Sequence, residues 1–382
     1  LHYPLRRQRQ MCIRDSLKIY AQNLESAAME QIETLVNAPA FEGARIRIMP
    51  DAHAGAGCVI GFTANLGDKV VPNLVGVDIG CGMLTSRIEF IEECHLDEFD
   101  AVVRKSVPSG FSVHSEQTCD VDAMGLLCRN ELQNVERLER SMGTLGGGNH
   151  FVEIDAAGNG DAYLVVHSGS RNLGLQVANI YQRMAVETCK EPTPKGLEYL
   201  TGELRDAYLH DMHLCERWAG LNREAMMHAI YREARLGVLM GGTFHTVHNY
   251  IGDDGIVRKG AISAQEGERV LIPLNMRDGS VLGVGRGNED WNNSAPHGAG
   301  RAMSRARAKR ELSVDGFREQ MANVYSSTVC EGTLDEAPDA YKPAQQIVDA
   351  LYPTVKVEKR LYPVYNFKAV EQKRERRARH EG

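Results

Sequence analysis

The chain has 382 residues, 43% of them hydrophobic and 25% charged, a globular composition that excludes a disordered, collagen-like or disulfide-dense protein. No apolar run approaches the roughly 18 residues that a membrane helix needs. The formal net charge of −7 provides no global basic field, so a nucleic-acid partner would have to be met by a local patch.

The first segment, Leu1 to Ser16 (LHYPLRRQRQMCIRDS), is rich in arginine and lacks usable periodicity; it is expected to be a leader outside the fold. One domain is expected over 17–370. Residues 18–42 carry apolar side chains at helical spacing and predict an amphipathic helix. From Ile46 short apolar runs alternate with Gly, Asp, Asn and Pro (RIRIMPDAH, GCVIGFTA, VVPNLVGVDIGCGM, LTSRIEF), which predicts buried strands joined by tight turns. Residues 122–141 predict a helix that ends before the glycine run Gly146-Gly147-Gly148. A strand pair follows around FVEI and AYLVVHSGS. A helical block is expected from about 174 to 240, broken near Pro192 and Pro194, then strands over 256–285 and a helix after Pro296. Glu371 to Gly382 mixes both charge signs with no apolar face and predicts a solvated tail. Helices and strands without a β-α-β rhythm predict a single α+β domain. Nine cysteines form no C-x-x-C pair and read as reduced thiols of a cytosolic protein.

Chemistry-bearing residues concentrate in five glycine- or serine-flanked segments. They are Val75-Gly-Val-Asp78-Ile-Gly-Cys81-Gly82, Gly146-Gly-Gly-Asn149-His150-Phe-Val-Glu153, Val165-Val-His167-Ser168-Gly-Ser170-Arg171, Val247-His248-Asn249 and Ser294-Ala-Pro-His297-Gly-Ala-Gly-Arg301. Singly, a histidine after a strand is a satisfied structural group and a cysteine a small buried hydrophobe. Together, one Asp, one Cys and three His suit a borderline-soft ion such as Mn, Zn or Co, whereas Mg prefers oxygen ligands. A thiolate able to bridge also suggests two ions, a known arrangement for phosphoryl chemistry. At His297 the small neighbours let a phosphate approach the ring, and a neutral imidazole is a nucleophile toward phosphorus. The run from Arg301 to Arg310 holds five basic residues and no acid. Positions 301, 305 and 309 are expected to stack on one helix face as a local patch for RNA phosphates.

At these five segments, and in order from about residue 18 to 368, the chain resembles the RtcB family of RNA ligases. The resemblance implies metal ligation of two Mn²⁺ ions by Asp78, Cys81, His150, His167 and His248, and covalent capture of GMP from GTP on His297. It implies a guanylate pocket of Asn149, His150, Phe151, Val152, Glu153, His248, Asn249, Pro273, Leu274, Asn275, Met276, Ser280, Gly298, Ala299, Gly300, Arg301, Tyr341 and Lys368. It further implies joining of an RNA 3′-phosphate or 2′,3′-cyclic phosphate to a 5′-hydroxyl in tRNA splicing or RNA repair, with archease as a candidate activating partner. Arg171, Arg305 and Lys309 are the candidates for holding RNA, and His53 for either the RNA-end site or a turn. The chain departs from the family pattern at Leu274-Asn275-Met276-Arg277-Asp278-Gly279, where a Gly-Ser-Met-Gly turn is usual. It also lacks the usual lysine before the last glycine of Asp51-Ala-His53-Ala-Gly-Ala56-Gly, and runs fourteen residues past Lys368, as a divergent subgroup would. The alternative readings are a metal-dependent phosphoesterase or nuclease without guanylylation, and a non-catalytic RNA-end-binding module.

Overall fold

The apolar runs become strands wherever both faces can be covered. In the computed structural model, which describes residues 16–55, 57–88, 95–234 and 242–370, these are β1 (Leu17–Ile19), β2 (Ile46–His53), β3 (Ile60–Asn65), β4 (Gly82–Ile88), β5 (Phe151–Ala157), β6 (Ala162–Ser168) and β7 (Thr243–Val247). They continue as β8 (Asn249–Ile251), β9 (Ile256–Lys259), β10 (Ala261–Ser263), β11 (Arg269–Asn275), β12 (Gly279–Gly285), β13 (Ser294–Pro296) and β14 (Val355–Lys368). The expected leader through residue 15, the tail from 371 and the end of the helical block at 235–240 lie outside the described residues.

Three layers of pairing position the site. One sheet runs β1-β2-β3-β9-β8, a second runs β11-β12-β14-β5-β6-β4-β7, and β10 pairs with β13. Every neighbouring pair in the larger sheet is antiparallel, so the end of one strand lies beside the start of the next. Phe151, at the start of β5, therefore faces both His167 near the end of β6 and Lys368 at the end of β14. Gly82, at the start of β4, faces Ser168 and Val247. Four of the five chemistry-bearing segments thus meet at one edge of one sheet. The fifth, at His297, arrives from β13, which β10 holds. Apart from one parallel step, β1 to β2 across the helix Ser26–Val36, every strand pair in the described sheets is antiparallel, which makes the chain α+β, as expected.

The helix Gly202–Ala234 crosses the back of this sheet. Its Met226, Met227 and Ile230 pack with Leu84, Val152, Ile154, Leu164 and Val166. A second core joins Leu173, Val177 and Tyr181 of the helix Arg171–Thr188 to Ile48 and Phe62 of the smaller sheet. No helix among the described residues is long and apolar enough to cross a membrane.

Four expectations need correction. Residues 18–42 do not form one helix: β1 precedes the helix Ser26–Val36, and Pro39 opens a separate 3₁₀ turn. The run VVPNLVGVDIGCGM is a one-turn helix, Pro72–Val75, and a turn, with β4 starting only at Gly82. Residues 122–141 break into 3₁₀ turns at Asp122–Met124 and Arg129–Glu131 and a short helix Val135–Glu139. The Asp211 carboxylate accepts from the Leu127 and Cys128 N–H groups at 2.8 and 2.9 Å, diverting donors that a helix would use. The helix after Pro296 begins at Arg305, where Ser304 accepts from the Arg307 N–H. Arg301 therefore precedes it, and the three-residue stripe does not exist.

Candidate active site

Cys81 is the hub. Its Sγ lies 3.3 Å from His167 Nε2 and 3.5 Å from His150 Nε2. Two groups of ligand atoms form around it, Cys81 with His167 and His248, and Asp78 with Cys81 and His150, the atoms lying within 4.8 Å of one another. Backbone carbonyls orient two of the rings: Leu145 O takes His150 Nδ1 at 2.8 Å, and Asn149 O takes His167 Nδ1 at 3.1 Å. A carbonyl only accepts, so each Nδ1 is the donor; the Nε2 atoms turn toward the ligand cluster, that of His150 lying 3.0 Å from Asp78 Oδ2. Burial, joined by the neighbouring charged groups, holds His167 and His248 well below the usual histidine range, as neutral ligands. Burial and then Asp78 push the Cys81 thiol well up. Burial would raise Asp78, but the hydrogen bond and charge of His150, with Arg171 and Cys81, together lower it. His248 Nδ1 is buried with no hydrogen-bond partner among the described residues, which a buried polar atom seldom tolerates. A thiol, a carboxylate and three imidazoles in this arrangement fit a transition-metal ion.

The framework behind these ligands is close-fitting. A Cβ on Gly169 would run into the Asp78 carboxylate, so glycine here leaves that ligand its place. From the helix Gly202–Ala234, Arg223 donates to Gly80 O at 2.7 Å and Ser168 O at 2.8 Å. Asn222 Oδ1 accepts from Gly143 and Thr144 N–H. These two residues hold three ligand loops, and nothing in the local sequence marks them, because their partners are backbone groups distant in the chain.

Beside the hub is a cavity of about 480 Å³, large enough for a nucleotide-sized ligand. Of the expected pocket residues, Asn149, Phe151, Glu153, His248, Pro273, Leu274, Asn275, Met276, His297, Gly298, Ala299, Gly300, Arg301, Tyr341 and Lys368 line it, as do His53, His167 and Arg305. His150, whose Nε2 faces Asp78 and Cys81 instead, and Val152, Asn249 and Ser280 do not. Val152 points into the core on the other face of β5, Asn249 braces Asp78 O and Gly260 N–H, and Ser280 is fully buried. The departing loop after Pro273 is tied by Asn275 and Asp278, whose side chains bond at 2.8 Å.

Two acids that sequence reasoning did not assign organise the cavity. Asp51, fully buried at the end of β2, places Oδ2 2.7 Å from His297 Nδ1. Among the described residues His297 Nδ1 has no directed hydrogen bond, so its contact with Oδ2 is chiefly electrostatic. The same Oδ2 accepts the His297 and Gly298 N–H groups at 3.1 and 3.3 Å. Gly300, at φ +70°, passes so close that a Cβ would lie 1.9 Å from Asp51 O. Glu336 is the second acid. It takes Lys368 Nζ at 2.9 Å, Arg305 Nη1 at 2.8 Å, Arg301 Nη1 at 3.3 Å and Tyr341 OH at 2.6 Å. Its signal in sequence was the cation-rich run at 301–310, which needed a buried counter-charge. Burial and then Asp155 raise Glu153, which accepts from Asn366 at 2.5 Å; burial also raises Asp155, to about 6.

The expected RNA-binding cations are placed differently. Arg305 and Lys309 turn toward Asp335, at 2.5 and 3.3 Å, so they form an ion-paired cluster rather than a bare basic face. Arg171 is half-buried in the left-handed region at φ 57° and donates to Gly110 O at 3.2 Å; it does not line the cavity.

A metal-competent histidine–cysteine centre opening on a nucleotide-sized cavity defines the class of site, and sequence comparison gives it a family. The family model described as tRNA-splicing ligase RtcB matches residues 31–133 and 127–369. The chain is 30% identical to the RNA-splicing ligase RtcB of Escherichia coli K12, over 87% of this chain and 92% of that protein. It is 26% identical to the tRNA-splicing ligases RtcB of Nanoarchaeum equitans and Aeropyrum pernix, covering 87% and 89% of this chain and 90% and 92% of theirs. The chain belongs to the RtcB family.

Proposed function

We propose that the chain is an RNA ligase that joins a 3′-phosphate or 2′,3′-cyclic phosphate end to a 5′-hydroxyl, using GTP and Mn²⁺, in tRNA splicing or RNA repair. The observation that carries this reading is the position of His297. Its ring centroid lies 5.1 Å from that of His248, in the wall of the nucleotide-sized cavity and against a buried carboxylate.

Asp78, Cys81, His150, His167 and His248 are the residues that would hold the metal. Bound there, Mn²⁺ would stabilise charge developing on phosphoryl oxygens and on a pyrophosphate leaving group. The Asp51 carboxylate favours the proton on His297 Nδ1 and leaves Nε2 as the nucleophile. His297 Nε2 attacks the α-phosphorus of GTP, and the P–O bond to pyrophosphate breaks. Lys368, fixed by Glu336 and 5.2 Å above the Phe151 ring, supplies positive charge to the nucleotide. Tyr341 offers a flat apolar face beneath the Arg301 guanidinium. A cyclic end is first hydrolysed to the 3′-phosphate; the RNA 3′-phosphate then takes GMP from His297, and the 5′-hydroxyl displaces that GMP to seal the strand.

A phosphoesterase using the same ligands has no need of Glu153, Tyr341 and Lys368 around a cavity of this size. The test is strand joining. With Mn²⁺ present, RNA bearing a 2′,3′-cyclic phosphate and a 5′-hydroxyl partner should be joined only when GTP is added. Hydrolysis of the cyclic end with no joined product, at every GTP concentration, would replace the ligase with a phosphoesterase.

A further inference from the structure

Asp51 serves two imidazoles. Its carboxylate faces His297, and its backbone carbonyl oxygen lies 3.0 Å from His53 Nδ1. Because that oxygen can only accept, His53 Nδ1 is the donor and the tautomer is set, leaving Nε2 with its lone pair. Among the described residues the bond to Asp51 is the one hydrogen bond found at this ring. His53 lines the cavity that also holds His297. Burial, partly offset by the Asp51 hydrogen bond and reinforced by His297, lowers its pKa to about 4, so the ring is neutral.

Guanylylation makes no use of such a group, since His297 attacks phosphorus through Nε2 with Asp51 already beside its Nδ1. The sealing step differs, because the attacking 5′-hydroxyl must lose a proton. The other bases of the cavity wall are already committed. His167 and His248 belong to the ligand set, Glu153 accepts from Asn366, and His297 is the nucleophile. Lys342, near His53, spends its ammonium on Pro50 O and Ala52 O. His53 alone is neutral, oriented and open to the cavity.

We propose that His53 Nε2 is the general base of the sealing step, a role that rests on the ligase reading above. His53 Nε2 takes the proton of the RNA 5′-hydroxyl as that oxygen bonds to the 3′-phosphorus. The bond from this phosphorus to the bridging oxygen of GMP breaks, and GMP leaves with the electron pair. The product is a 3′–5′ phosphodiester, and the imidazolium returns its proton to solvent.

The test separates sealing from guanylylation in the full chain. His53→Asn keeps an amide N–H in the place of Nδ1, able to donate to Asp51 O, and removes Nε2. The substrate is a synthetic RNA whose 3′-end already carries the diphosphate-linked guanosine, presented with a 5′-hydroxyl strand and Mn²⁺. Sealing should fall by about 10²- to 10⁴-fold, the usual worth of a positioned base. Covalent GMP labelling of His297 should fall far less than sealing, and its retention also reports that the variant is folded. A strand ending in a 5′-thiol, which ionises far more readily with a pKa of about 8.5, should be sealed by the variant at close to the parent rate. Undiminished sealing of the hydroxyl strand overturns the proposal, as does an equal loss for hydroxyl and thiol, or a parallel loss of labelling and sealing. A parent chain that neither retains GMP nor seals the activated end overturns the ligase reading and this role with it. With a parent that does both, the sealing rate of His53→Asn decides the role of His53 alone.

Discussion

Replacing Glu336 with glutamine removes one negative charge and almost no volume from the centre of the cavity wall. Glu336 is 2% exposed and faces Lys368, itself 4% exposed, with Arg301, Arg305 and Tyr341 completing the cluster. Gln can still accept from Tyr341, but the Lys368 ammonium loses its counter-charge and retains only the Asn149 carbonyl, at 3.4 Å, and the Phe151 ring. Breaking a buried ion pair from one side costs about 3–5 kcal/mol. The lower end applies, because Arg305 keeps Asp335 and Arg301 keeps the Met303 and Asp335 carbonyls. Unfolding entropy of about 2.1 cal/mol/K per residue converts roughly 3 kcal/mol into a fall in Tm of about 4 °C. Burial alone would raise the Glu336 carboxyl, but Lys368, Arg305 and Arg301 together hold it far below its ordinary value of 4.5. A depressed carboxyl contributes its full stabilisation above the unfolded value and loses it as pH falls through the folded one. The parent should therefore be more stable at neutral pH, and its advantage should shrink below about pH 4.5. Differential scanning calorimetry of parent and variant across that range is the assay. A variant within about 1 °C of the parent at neutral pH, or a gap that widens on acidification, would refute the reasoning.

Two further substitutions probe the site. Asp51→Asn leaves the backbone carbonyl for His53 but removes the charge facing His297. GMP labelling should fall by at least about 10²-fold with metal binding unchanged, as measured by radiolabel retention and calorimetric Mn²⁺ titration. Gly169→Ala drives a methyl into the Asp78 carboxylate, 2.1 Å away. Mn²⁺ affinity should drop by roughly 10- to 100-fold, and an unchanged titration would show that Asp78 is not held by that approach.

What was legible in the sequence follows from how local each cause is. β2, β3, β5 and β6 could be read because runs such as RIRIMPDAH and AYLVVHS are buried almost throughout and end at turn residues. The ligand residues stood out because Cys and His between glycines are costly to keep for packing alone. The 122–141 segment carries helical spacing that is overridden by Asp211, about eighty residues away, which claims two of its N–H groups. The basic stripe failed for a similar reason, since its counter-charges at Asp335 and Glu336 lie beyond the helix that carries it. Asp51 and Glu336 are not legible in the sequence, because single acids beside Pro50 and Ala337 look like turn residues. Their importance lies in what the fold packs against them.

The most direct test of the account is covalent capture of the nucleotide. The chain is incubated with Mn²⁺ and GTP labelled at the α-phosphate, with pyrophosphate removed, then denatured and examined for retained label, His297→Ala serving as control. An acid-labile GMP adduct that disappears in His297→Ala is the result expected. Absence of any adduct, with metal bound and archease supplied, would contradict the ligase reading and favour a phosphoesterase built on the same ligands.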